Sequence, residues 1–289
     1  MDYWVTFNLL IIKDHHLILG NTRVIWLYLL GVQDHQKVFL ISRSNEGETL
    51  EDLNKQGHRL AKEVIDFIND QNLNVDRISF VCHSLGGIVA RIAITSSLFE
   101  SYKEKFFELV TFGTPHLSLI NLSHAVLNSF LGIYQTLSKS RCIDQFYLKD
   151  SIDHRKCLLY RLSSSKELSY FKHIRLYGSN SDKYAPLGST LVISDTAVES
   201  NKSLGTIKYR SSLPSIPASH SPTNKSPDLI YAEMLERLSE DLDKAGSLEK
   251  FEVCFKSEQQ DFLGRKAHIA MVQESSVLER ELLSNRFHL

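Results

Sequence analysis

Phe80-Val81-Cys82-His83-Ser84-Leu85-Gly86-Gly87-Ile88-Val89-Ala90 decides how this chain is read. An apolar, β-branched run, Ile78 to Val81, leads into it, and a helix-compatible run, Ile88 to Ile94, leads out. The pattern is strand, sharp turn, helix, with a serine at the apex, which is the layout of a nucleophile elbow. Small residues flank such a serine because the strained turn brings strand and helix backbones close together. The turn lifts the hydroxyl clear of the sheet and points the backbone N–H of Leu85 towards a developing oxyanion. Cys82 stands where the motif usually has its first glycine; cysteine is small and often buried, so the turn can still form. The bland alternative is an ordinary strand-to-helix turn with an incidental serine. The buried-type strand before it and the paired glycines after it weigh against that alternative.

Outside this stretch the composition is that of a globular protein. The chain has 289 residues, 43% hydrophobic and 23% charged, enough for one large core or two small ones. Its formal net charge is -1, and no basic cluster interleaved with aromatics suggests a nucleic-acid surface. Cys82, Cys142, Cys157 and Cys254 are scattered, with no C-x-x-C spacing, which argues against a zinc site. They form no disulfide framework either, so a reducing compartment fits better. Met1 to Ile12 is apolar but has no early basic residue and no small-residue cleavage site. Val24 to Val32 is a nine-residue apolar run, too short to span a bilayer. These features predict a soluble, cytoplasmic protein and leave peripheral membrane contact open.

Along the chain, strand-like and helix-like stretches alternate. Residues 4–12 and Val24 to Leu30 read equally well as strand or buried helix turn. Val38 to Ser42 reads as a strand. Asp52 to Asn69 is an amphipathic helix, with Leu53, Leu60, Val64, Ile65 and Ile68 near one face. Phe106 to Phe112 and His173 to Gly178 read as buried strands, and Phe251 to Phe255 as a late one. Helices are expected over 117–137, 155–171 and Ile230 to Leu242, with a closing helix near Ser276 to Leu283. The first of these is either a lid beside the site or a covering helix. Residues 199–228, rich in Ser, Asn and Pro, read as a flexible insertion in a single domain spanning 1–289. Alternating strands and helices with continuously apolar strands imply a mostly parallel sheet covered on both faces.

A serine needs a base within hydrogen-bond reach and an acid to orient that base. In sheets that carry such an elbow, the order is Ser, then Asp or Glu, then His, the last two on loops after late strands. Asp182, just past the strand ending at Gly178, and His268, past the strand ending near Phe255, fit that order. Asp150 and Asp153 are rivals without a strand directly before them; His83, His116, His154 and His220 miss the expected slot, and His288 is at the end of the chain. Spacing alone leaves Asp182 open to being a turn residue and His268 a surface or helix-capping residue.

Several linked stretches go further: Ser42-Arg43-Ser44-Asn45-Glu46; Arg77-Ile78-Ser79-Phe80 running into His83-Ser84-Leu85-Gly86; Gly113-Thr114-Pro115-His116-Leu117; Tyr170-Phe171-Lys172; Asp182-Lys183-Tyr184-Ala185-Pro186; and Gly264-Arg265-Lys266-Ala267-His268-Ile269-Ala270. On these the chain resembles the "putative serine esterase" (lipase-like) family of α/β-hydrolases, and most closely the C-terminal esterase domain of eukaryotic "family with sequence similarity" proteins. The resemblance covers roughly residues 37–193 and 229–283. It implies an α/β-hydrolase fold with Ser84 as nucleophile, Asp182 as acid, His268 as base and the Leu85 N–H as oxyanion donor. His83, Gly113, Thr114 and His116 are the expected lining of the substrate pocket. It also implies hydrolysis of an ester, lipid-type or otherwise small, without metal or cofactor. One departure stands out: the family has a His-Gly pair after its first core strand, on the loop that gives the second oxyanion donor, and residues 1–40 contain none. The first strands are therefore expected to be truncated or remodelled. The competing reading is a hydrolase-fold binding or scaffold protein with an incomplete oxyanion hole; a thioesterase or acyltransferase on the same three residues is a third.

Overall fold

The computed structural model describes residues 7–13, 37–120, 140–193, 206–209, 227–255 and 265–273. In chain order the strands are β1 (Phe7–Lys13), β2 (Lys37–Ile41), β3 (Arg77–His83), β4 (Phe106–Phe112), β5 (His173–Gly178), β6 (Thr206–Tyr209) and β7 (Leu248–Val253). The helices are α1 (Leu53–Asp70), α2 (Leu85–Ile94), α3 (Arg141–Phe146), α4 (Leu158–Leu162), α5 (Leu187–Leu191), α6 (Pro227–Leu242) and α7 (Arg265–Gln273). All seven strands join one sheet in the order β2-β1-β3-β4-β5-β7-β6. Its centre, β3-β4-β5-β7, is parallel, as near-continuous apolar strands require. At one edge β1 runs antiparallel to both β2 and β3; at the other, β6 runs antiparallel to β7. This is an α/β fold, and its parallel strands end on the side where open sheets of this kind place their sites.

Cross-strand register divides the sheet into two faces. His83, Phe112, Tyr177 and Phe251 are successive neighbours across β3, β4, β5 and β7. The Phe112 and Tyr177 rings stack 4.7 Å apart, and those of Tyr177 and Phe251 4.8 Å apart. On the opposite face Phe80 meets the rings of Phe99, Phe106 and Phe171 at 6.0–6.4 Å. Helix α1 begins where the sequence places it: Asp52 caps it, its carboxylate accepting from the N–H groups of Asn54 and Lys55. Leu53, Leu60, Val64 and Ile68 are buried, as the apolar stripe demands. Gly57 lets α1 come against α2, since a Cβ there would lie 2.7 Å from the Cβ of Ile92.

Three expectations change. Residues 155–171 do not form one amphipathic helix. They break into a short 3-10 turn at His154–Lys156, α4, and a second 3-10 turn at Glu167–Tyr170. The break comes at Ser163-Ser164-Ser165, where Ser163 and Ser165 turn their hydroxyls back onto the carbonyls of Tyr160 and Leu162, the local bonding by which serine competes with helix. Within the expected insertion, Thr206–Tyr209 pairs with β7. His268 sits on a helix, α7, not on a loop. The apolar run Val24 to Leu30, most of the expected 117–137 helix, most of 199–228 and the closing helix lie outside the described residues. None of the described helices is long and apolar enough to cross a membrane.

Candidate active site

The elbow forms as its sequence demands. Ser84 has φ 53° and ψ -130°, a backbone conformation costly for any residue with a side chain. The turn is held because the Ser84 N–H donates to the Phe112 carbonyl at 2.9 Å and the Gly87 N–H to the Ser84 carbonyl at 3.2 Å. Gly87 must lack a side chain, since a Cβ would collide with Thr114. Cys82 takes the first-glycine position without strain. It is buried, and burial pushes its thiol far above the usual range, so it stays protonated and inert. Helix α2 starts at Leu85, whose N–H has no carbonyl one turn earlier to accept it.

Ser84, His268 and Asp182 come together from three separate elements. The Ser84 hydroxyl lies 2.8 Å from Nε2 of His268, and Nδ1 of His268 lies 2.6 Å from Oδ2 of Asp182. Since the carboxylate accepts, Nδ1 carries the proton and Nε2 is left to accept from the serine. Asp182 lies four residues past the end of β5. Its other oxygen, Oδ1, accepts from the N–H groups of Tyr184 at 2.8 Å and Ala185 at 3.1 Å. The turn character of Ser-Asn-Ser-Asp is therefore the means by which the carboxylate is aimed: the Asp182 N–H closes the turn onto the Ser179 carbonyl at 3.1 Å. The rivals face elsewhere: Asp150 caps α4 through the Leu158 N–H and Asp153 caps the turn at Arg155.

The four residues expected to line a pocket are all buried. His83 has its Nε2 3.0 Å from the His268 carbonyl oxygen. Gly113, at φ +56°, lies against Asp182 and His268: a Cβ there would stand 3.2 Å from both Asp182 Oδ2 and His268 Nδ1, and 2.7 Å from Met271 Cε. Thr114 fills the space left by Gly87. His116 has Nε2 3.0 Å from the Thr111 hydroxyl, and its backbone N–H donates to the Ser189 carbonyl at 3.1 Å. Burial, reinforced by Arg91 and Lys250, lowers its pKa well below the usual histidine value and keeps it neutral.

Several contacts are not foreshadowed by the motif. Tyr184 stacks on the His268 ring, centroids 5.5 Å apart. Fully buried Arg91 of α2 donates to Glu167 at 2.6 Å, to the Leu162 carbonyl at 3.0 Å and to the His116 carbonyl at 3.1 Å. It thereby ties the elbow helix to the loop that carries Gly113. A lone arginine inside the apolar run Ile88 to Ile94 was the available signal for such a buried cation. Among the described residues no group of His, Cys, Asp and Glu is arranged to hold a metal ion.

A family model described as "Putative serine esterase" matches residues 22–197, well over half of the chain. The match takes in Ser84 and Asp182 and ends before His268. No solved structure matches the chain significantly.

Proposed function

The chain belongs to the family described as "Putative serine esterase", and from that premise we propose that it hydrolyses carboxylic esters through an acyl-enzyme formed on Ser84. The observation that carries this is the continuous pair of hydrogen bonds, 2.8 Å from Ser84 to His268 and 2.6 Å from His268 to Asp182. As the Ser84 oxygen attacks the ester carbonyl, its proton passes to Nε2 of His268. Asp182 fixes the tautomer that can receive it and stabilises the imidazolium that results. The Leu85 N–H, at the positive end of α2, faces the oxyanion. Collapse of the tetrahedral intermediate expels the alcohol, which takes the proton back from His268. Water, deprotonated by the same imidazole, then releases the acid and regenerates Ser84. This chemistry calls for no metal or cofactor. The substrate class we assign is an intracellular ester with an apolar, lipid-type acyl chain, on the family likeness.

One observation favours a second reading, a catalytically weak hydrolase-fold binding or scaffold protein. The strand beside the elbow runs the opposite way: Phe7 pairs with His83 and Lys13 with Arg77. Chain leaving β1 therefore departs from the end of the sheet away from Ser84. The end of β1 thus lies far from where the second oxyanion donor is needed, and loss of that donor costs on the order of 10²- to 10³-fold in turnover.

Labelling with a fluorophosphonate probe separates the two readings, because the probe reports an activated serine without a known substrate. We expect wild-type protein to be labelled and Ser84→Ala to be unlabelled with an unchanged thermal midpoint. Folded wild-type protein that takes up no probe would leave the scaffold reading.

A further inference from the structure

His83 occupies the position immediately before the serine, where the elbow motif specifies nothing. It is 5% exposed and ends β3. In register it abuts Phe112, behind which Tyr177 and Phe251 stack. This aromatic row crosses three strands, β4, β5 and β7, beside the His83 position on β3. In front of it lies His268, ring centroids 4.7 Å apart and inclined by 43°. His83 Nε2 is 3.0 Å from the backbone oxygen of His268. A carbonyl only accepts, so His83 carries its proton on Nε2 and donates it.

We propose that His83 is a positioning residue for His268: its Nε2–H pins the backbone of the helix that carries the base to the strand that carries the nucleophile. The proposal rests on the reading of Ser84 and His268 given above. His268 stands on α7, and no strand ladder fixes the height of a helix above a sheet. Ala267, Met271 and Val272 pack the helix into the core, but the bond to Asp182 fixes only one ring nitrogen and does not by itself set the height of the main chain beneath the ring. A second bond, to the main-chain oxygen of the same residue, sets that height, so imidazole orientation and distance to Ser84 are set together. Register makes the arrangement economical, since residues 83 and 84 are consecutive and one movement of the elbow carries both the nucleophile and the clamp on its base. Burial, together with the neighbouring His268, holds His83 at a pKa of about 3, so the clamp stays neutral and does not draw the proton that Ser84 gives up. Simple packing is the alternative role, and the row of Phe112, Tyr177 and Phe251 shows that an apolar side chain would be at home there.

Three substitutions distinguish the two roles. Glutamine can place an amide N–H where Nε2 stands; asparagine reaches only the Nδ1 position; leucine fills the space without donating. With p-nitrophenyl butyrate, His83→Asn and His83→Leu should lose roughly 10- to 100-fold in kcat with KM little changed, the scale of effect expected when a reacting group moves by about 1 Å. His83→Gln should stay near wild type. Loss in all three alike, or wild-type kcat in folded His83→Leu, would overturn the proposal. Nuclear magnetic resonance reads the same question without turnover. The low-field Nδ1 proton of His268, bonded to Asp182, should persist in His83→Gln and broaden in the other two. Its equal survival in all three variants overturns the proposal even if no ester is ever cleaved. The expected pattern in a protein that cleaves nothing supports the clamp and removes only the esterase reading.

Discussion

Asp182 and Glu108 are both carboxylates with no exposed side-chain surface, attached to neighbouring parallel strands, yet they are held by opposite means. Asp182, beyond the end of β5, is held by dipoles. Two backbone N–H groups take one oxygen and the His268 ring N–H the other. Glu108, inside β4, is held by a charge: the guanidinium of Arg175 bonds Oε1, and Arg175 also reaches Glu249 at 3.0 Å. Its second oxygen has no hydrogen-bond partner among the described residues. The difference teaches what each is for. A carboxylate already answered by a fixed cation has little to give a neighbour whose charge appears only during reaction. One solvated by amides keeps its negative charge available until the imidazole becomes imidazolium. Glu108 and Arg175 hold strands β4, β5 and β7 together; in the proposed reaction Asp182 answers the proton that moves to His268.

The largest expected effect follows directly. Asp182→Asn should lower kcat on the order of 10⁴-fold, the loss such an exchange causes in serine proteases, because the amide favours the wrong imidazole tautomer. Glu108→Gln should leave kcat of the folded protein unchanged. Ester hydrolysis by the two variants, measured side by side with their thermal midpoints, tests the contrast. Comparable losses in both would break it, since the charge-paired acid would then matter to the reaction as much as the amide-held one.

Gly113 gives a smaller effect at the same end of the sheet. A Cβ there would press on the facing atoms of Asp182 and His268, each 3.2 Å away, and on the flexible end of Met271. The φ of +56° adds backbone strain. Gly113→Ala should therefore slow fluorophosphonate labelling by roughly 10- to 100-fold through displaced geometry, with Ser84 still present and reactive. Unchanged labelling would mean that Met271 yields and the acid and base do not notice.

How much of this was legible in the sequence varied with the range of the interaction responsible. The elbow, α1 and the strands Phe106–Phe112 and His173–Gly178 could be read because their signals are local: apolar runs of strand length, a capping Asp52, glycines where backbones must touch. The meeting of Ser84, Asp182 and His268 was foreshadowed by chain order, though not the helix under His268. What stayed hidden depends on contacts between distant residues. Nothing near position 83 says that its ring will meet a carbonyl 185 residues away. Gly113 was expected as pocket lining beside the family resemblance; only the folded geometry shows it wedged against Asp182 and His268. The direction of β1 could not be read either, because an apolar run pairs equally well both ways and the pairing is decided by where the connecting chain returns.

The smallest effect lies at Glu108 itself and is a slope with pH. Burial pushes its carboxyl up to about 7, outweighing the pull of Arg175. The unfolded chain releases the same proton near the ordinary value of 4.5. Because the folded value is the higher one, the folded state holds the proton more tightly. This group therefore favours folding most below about pH 4.5, and its contribution is lost as pH rises towards about 7. Glu108→Gln is uncharged throughout and lacks that slope; its other consequences, such as the weakened hold on Arg175, do not change with pH. The midpoint of wild type minus that of Glu108→Gln should thus fall between pH 5 and pH 8, by an amount readable at about 2–4 °C per kcal/mol for a domain of this size. A difference that stays flat would show that Arg175 keeps Glu108 ionised across the range. Glu108 would then be a charge partner of Arg175 at every pH tested, and the contrast with Asp182 would lie only in what holds each carboxylate.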